Sequence, residues 1–212
     1  MNKNLAATAC RAELLDKAYG CLLGGLIGDA MGTPSEGLEP ADIERRFGWI
    51  EDFEGNDVLA AATAHLKPWS GAEMIELIHA ALMLAHETGN YPIFRTRYHS
   101  QFRREIACDS RETIPATLAL LQLAQGDLSQ TVSYAANFGR DTNTIACMAG
   151  SIAGALVGTA GLRQDWHTKI TRNAVRDQQE LAHALLDVGR RKAMSEMAAW
   201  GIFAQAEQAR LP

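Results

Sequence analysis

Residues 14–28, Leu-Leu-Asp-Lys-Ala-Tyr-Gly-Cys-Leu-Leu-Gly-Gly-Leu-Ile-Gly, place apolar side chains at Leu15, Leu22, Leu23, Leu26 and Ile27 and set Gly20, Gly24 and Gly28 four residues apart. The spacing predicts a helix with one bare face. An isolated glycine inside a helix costs about 1 kcal/mol against alanine, so three on one face point to a close approach by another backbone. A second stripe of the same kind, Ala146, Gly150, Gly154 and Gly158, follows much later in the chain. Two helices with such faces are expected to pack against each other at the short end of the usual interaxial range. The fold class that follows is all-α, an orthogonal helical bundle, since no window alternates with a period of two between turn signals.

The remaining chain is read outward from these two helices. Pro34 and Gly37 break the first, and Pro40 with Ala41 to Phe47 opens a short second helix. Residues 48–68 are irregular. Ser70, with Glu73 three residues on, reads as the N-cap of a helix over 71–87 whose apolar face is Met74, Ile75, Ile78, Leu82 and Ala85. A turn at Thr88, Gly89 and Asn90 ends it, and Tyr91 to Ile106 is aromatic and basic without a clear period. Helices over 112–124 and 128–137 follow, and Trp166 to Trp200 continues helical.

At 212 residues, 47% hydrophobic, the chain is expected to form one domain over 1–212 with a sizeable core. A formal charge of -5, with Lys and Arg scattered, argues against nucleic acid as a partner. Cys10, Cys21, Cys108 and Cys147 form no Cys-x-x-Cys pair, which suits reduced thiols in a cytoplasm. Met1 to Arg11 has no apolar run of the kind a cleaved signal needs. Ile145 to Leu162 is long and uncharged enough to meet the length rule for a membrane span, but its richness in Ala and Gly argues against a membrane partner.

Two segments carry candidate chemistry. Gly28-Asp29-Ala30-Met31-Gly32-Thr33-Pro34-Ser35-Glu36 places one acid at the end of the striped helix and another in a loop shaped by Gly and Pro. Asp29 reads first as a residue that bonds loop amides, whereas Glu36 is a candidate catalytic carboxylate. Asn137-Phe138-Gly139-Arg140-Asp141-Thr142-Asn143-Thr144 precedes the second striped helix, and Asp141, Asn143 and Thr144 offer hard oxygen ligands within four residues. A helix N-terminus repels cations, so a metal there needs further acids, and Asp141 or Asn143 reads equally as the helix N-cap. His79 and His86 read as surface or core-edge residues. Arg95, Arg97, Arg103 and Arg104, mixed with Tyr91, Phe94, Tyr98 and Phe102, read either as a nucleotide-binding patch or as a solvated basic face. Cys21 and Cys147 lie within expected buried helices, unlike accessible nucleophiles.

Residues 28–36 resemble the Gly-Asp-Ala-x-Gly-x-Pro-x-Glu segment of the ADP-ribosylglycohydrolases, and residues 137–158 resemble their Gly-x-Asp-x-Asp-Thr segment with its Gly/Ala helix. Asp109 to Ala116 is similar to the helix preceding it in the bacterial branch related to dinitrogenase reductase-activating glycohydrolase. The resemblance implies Glu36 and Asp141 as catalytic residues, Gly139, Arg140, Asn143 and Thr144 as substrate-facing, and Asp141, Asn143 and Thr144 as metal ligands. It also exposes losses. Asn143 stands where the family has its second aspartate, and Trp69-Ser70-Gly71-Ala72 stands where Thr-Asp-Asp-Thr would open a helix. The resemblance also implies a chain shortened between His86 and Asp109.

Two cations about 4 Å apart need several acids to neutralise them, so the family's di-magnesium site is expected to be eroded. Magnesium is therefore weighed against, and no cofactor is expected, although Glu73 or Asp52, Glu54 and Asp57 could compensate. The expected function is binding of ADP-ribose or a related ribosyl nucleotide with weak or no hydrolysis, as in a pseudoenzyme. An active hydrolase of a ribosyl N- or O-glycosidic bond and a structural or regulatory homo-oligomer are the alternatives.

Overall fold

The computed structural model describes residues 3–32, 35–47 and 68–208, and within them every regular element is helical. In chain order these are α1 (Lys3–Gly32), α2 (Pro40–Phe47), α3 (Pro68–Thr88), α4 (Tyr91–Gln101), α5 (Ser110–Leu123), α6 (Leu128–Ala136) and α7 (Thr142–Val157). A 3₁₀ turn (Gly158–Gly161) leads to α8 (Gln164–Asn173) and α9 (Gln178–Gln208). The irregular stretch expected over 48–68 lies outside the described residues as far as 67.

The axis of the molecule is the pairing of α1 with α7, its most extensive helix contact. Gly20 lies against Gly154 and Gly158, Gly24 against Gly150, Gly28 against Ala146, and Gly32 against Thr142 and Asn143. Residue numbers rise on one helix as they fall on the other, so the pair is antiparallel over about three turns. A Cβ on Gly20 would lie 2.5 Å from the Gly154 carbonyl oxygen. Only glycine permits that approach, and the two stripes meet as expected. The apolar character of 142–161, long enough to span a bilayer by length and composition, is used in packing on α1, α6 and α5.

The main core lies between α3, α4, α5 and α7. Tyr91, Phe94, Tyr98 and Phe102 pack there with Leu120, Phe138 and Ile145, each no more than 6% exposed. Residues 91–106, expected to lack a period, therefore contain a true amphipathic helix, with buried aromatics at steps of three, four and four. The arginines between them hide the period from a hydropathy reading. Asn90 caps α4 by accepting from the Ile93 N–H at 3.2 Å, and the buried phenols donate to backbone, Tyr91 to Tyr134 O and Tyr98 to Glu112 O, each at 2.7 Å. A second core, with Ile27, Leu121, Leu128, Val132, Ala153 and Trp166, joins α1 to α6 and α8.

Two boundaries depart from expectation. α3 opens at Pro68, so Ser70 lies in its first turn rather than before it. The helical run over 166–200 is broken between Asn173 and Gln178, where Asp177 caps α9 by accepting from Gln179 N at 2.8 Å and Glu180 N at 3.2 Å.

Candidate functional site

α1 ends where α7 begins, because the stripe carries the chain of α1 to Gly32 directly opposite Thr142. Two hydroxyls lock this joint. Thr142 Oγ1 donates to Gly32 O at 2.7 Å, and Ser35 Oγ donates to Ala136 O at 2.7 Å while lying 3.2 Å from Thr142 Oγ1. Both residues are fully buried, so the ends of α1, α6 and α7 are fastened at one point.

The two sequence segments then run side by side. Gly37 N–H donates to Arg140 O at 2.7 Å and Arg140 N–H donates to Leu38 O at 3.0 Å, a two-bond bridge between the Glu36 loop and the Asp141 loop. Gly139 has φ +93°, and a Cβ there would come within 2.9 Å of the Pro40 ring. The loop mouth is where these two loops meet, and there Glu36 is exposed and Asp141 is 6% exposed. Both expected catalytic carboxylates thus belong to one pair of bridged loops.

Asp141 occupies the N-cap position of α7 but makes no capping bond with its side chain. Among the described residues its buried Oδ2 has no hydrogen-bond partner. A buried acceptor left unmade costs about 1–3 kcal/mol, more when charged. Asn143 Oδ1 accepts from the Thr144 N–H at 2.7 Å, and Thr144 is exposed at the first turn of α7. Among the described residues no three His, Cys, Asp or Glu side chains converge as a metal-ligand group. The loop acids Asp52, Glu54 and Asp57 lie outside the described residues.

Arg140, expected to face substrate, has a different geometry. Its guanidinium turns inward to Glu112, with Nε to Oε1 at 2.7 Å and Nη2 to Oε2 at 2.9 Å, and Nη2 also donates to Arg104 O at 2.6 Å. The Glu112 bonds are the main cause that raises the Arg140 pKa above its ordinary value. Its fork is filled by protein, which gives it the job of shaping the loop.

The basic residues of α4 are also consumed. Arg95 and His99 stand four residues apart on α4, and Arg103 follows just past its end. Arg95 donates to Asn137 O at 2.9 Å and pairs with Glu44, His99 Nε2 meets Phe138 O at 2.8 Å, and Arg103 forks onto Glu39 at 2.9 and 3.0 Å. Arg103 holds the Glu39 carboxyl below its ordinary range, and burial pushes His99 down. Arg95 and His99 thus hold residues 44, 137 and 138, whereas Arg97, paired with Glu87, and Arg103, paired with Glu39, remain exposed, so the solvated reading holds for those two. His79 and His86 are exposed on α3, and burial raises the thiols of Cys21 and Cys147, so neither is an activated nucleophile.

Sequence reasoning missed Glu112 and the α4 clamp. The four-residue spacing of Arg95, His99 and Arg103 was the available signal, whereas nothing marked Glu112 as buried.

Comparison with known proteins comes out on one side. The family profile described as ADP-ribosylglycohydrolase matches residues 11–104 and 54–194. The chain is 40% identical over 63 residues to a Danio rerio protein named ADP-ribosylhydrolase ARH3, a match covering 30% of this chain and 16% of that protein. The chain therefore spans a small part of that relative's length. No solved structure matches. With the profile match running through both bridged loops and the α1–α7 pair, the chain belongs to the ADP-ribosylglycohydrolase family.

Proposed function

We propose that this protein binds ADP-ribose or a related ribosyl nucleotide where residues 35–38 meet residues 139–144, and that it hydrolyses the ligand weakly or not at all. The observation that carries the reading is Asp141, whose buried Oδ2 has no donor among the described residues. A ribose hydroxyl is a donor of the right size and polarity. Asp141 makes no side-chain cap bond and only the Thr144 N–H is taken by Asn143, so the positive end of α7 also suits a pyrophosphate.

The described residues do not fit a two-magnesium centre. One buried carboxylate, an amide oxygen already bonded by Thr144 N–H, and the exposed Thr144 and Glu36 supply too little charge to hold two divalent ions. Binding therefore rests on Asp141, which accepts from the ribose, and on the loop backbone, which sets its position. Glu36, exposed at the mouth, is the carboxylate placed to orient a water, and any residual hydrolysis runs through it.

Calorimetric titration with ADP-ribose, with and without Mg²⁺, tests this together with an assay for glycosidic cleavage. Heat without turnover supports a binding protein. Rapid Mg²⁺-dependent cleavage would establish the hydrolase reading instead.

A further inference from the structure

The geometry points to Glu112, inside the core, as the positioning residue of the ligand loops, an inference that rests on the binding reading above. Glu112 is 1% exposed and lies on α5, away from both loops in sequence. Its two oxygens accept Arg140 Nε and Nη2 and the Arg104 backbone N–H, the last at 2.7 Å. Arg140 Nη2 in turn donates to Arg104 O, so Glu112, Arg140 and the chain leaving α4 form a closed ring of charge-assisted bonds.

The ring matters because of what Arg140 does with its backbone. Arg140 has φ +70°, a left-handed conformation that a residue with a side chain adopts at a cost. In that conformation its carbonyl and amide point to Gly37 and Leu38 and form both bonds of the bridge between the loops. The next residue is Asp141. The fork onto Glu112 holds Arg140 in this conformation, and Arg140 thereby sets both the Glu36 loop and the direction of the Asp141 carboxylate. Of the ring's members Arg140 is the one that bonds to the Glu36 loop, so Glu112 acts through Arg140.

Hydrogen exchange on the full chain, with ADP-ribose titration, tests the assignment. In Glu112→Gln the amides of Gly37 and Arg140 should exchange about tenfold faster while those of Ala119 and Leu120 in the same helix keep their rates. The dissociation constant for ADP-ribose should rise about tenfold. Arg140→Gly, which tolerates φ +70° without the fork, should give the same selective loosening and serves if Glu112→Gln does not fold. Uniform acceleration across the core would reduce Glu112 to a general stabiliser and overturn the inference. Unchanged loop exchange, or loosened loops with unchanged affinity, would overturn it too. Failure of the unaltered chain to bind ADP-ribose would sink the binding reading. The exchange pattern, read without ligand, then decides Glu112 alone.

Discussion

Gly24 and Gly150 face each other with no space for a side chain, since a Cβ on either would fall on the other's carbonyl oxygen. Overpacking a core costs typically about 1–3 kcal/mol, and here the obstructing atoms are backbone that cannot rotate aside. Gly154→Leu, whose Cβ would meet the Gly20 carbonyl, should cost about 3 kcal/mol or more. At about 2–4 °C per kcal/mol for this size, the melting temperature falls by roughly 6–12 °C. Gly189, in α9, is the control, because a Cβ there would meet nothing within 4 Å. Gly189→Ala should raise stability by about 0.5–1 kcal/mol. Equal melting temperatures in the two variants would contradict the packing.

What was legible in the sequence follows from the range of each interaction. The glycine stripes were readable because steric exclusion acts at every turn and leaves a period. Asp109 and Asp127, which cap α5 and α6 by accepting from residues two or three positions on, are equally local. Glu112 was not readable, because its partner Arg140 lies 28 residues away and is brought to it by a left-handed backbone that no residue type announces. The adjacency of the two loops followed from the antiparallel stripes. The inward turn of Arg140 did not.

Asp141→Asn separates stability from binding. Replacing a buried carboxylate whose Oδ2 has no partner among the described residues by a neutral amide removes the larger desolvation cost. The melting temperature should hold or rise by a few degrees, about 1 kcal/mol, while affinity for ADP-ribose falls about tenfold. Thermal melts and titration on the same preparation decide it, and a marked loss of stability would mean that the carboxylate has a partner in the folded protein.

Stability should fall as pH drops below neutrality, with His99 as the first cause. Its Nε2 meets Phe138 O at 2.8 Å, while its buried Nδ1 has no partner among the described residues, and burial holds its pKa below the ordinary value. The unfolded chain then binds the extra proton. The contribution is complete above the unfolded value of about 6.5 and is lost as pH falls from there towards the folded value. Glu39, lowered chiefly by its bonds from Arg103, acts with the same sign but only below about pH 4.3. His99→Gln, which keeps a donor for Phe138 O and does not titrate, should flatten the melting-temperature slope between about pH 5 and 7. An unchanged slope would assign the effect to other groups.

Magnesium should leave the protein's stability nearly unaltered. The expectation rests on the resemblance, by which Asn143, Ser70 and Gly71 would stand at three places where the family gathers aspartates whose mutual repulsion two cations relieve. Asn143 has turned its oxygen to the Thr144 N–H, so it satisfies its own helix rather than a cation. A ligand present at 100 times its dissociation constant stabilises by about 2.7 kcal/mol, which for a chain of this size is roughly 5–10 °C. Millimolar Mg²⁺ should instead move the melting temperature by less than about 1 °C, far below that mark. Asn143→Asp alone should not create a response, because one added carboxylate beside Asp141 still leaves two divalent ions without enough neutralising charge. A rise of several degrees in the unaltered protein would require further acids at the mouth. Replacing Asp52, Glu54 and Asp57 together, and Glu73 separately, would identify which of them supplies the charge.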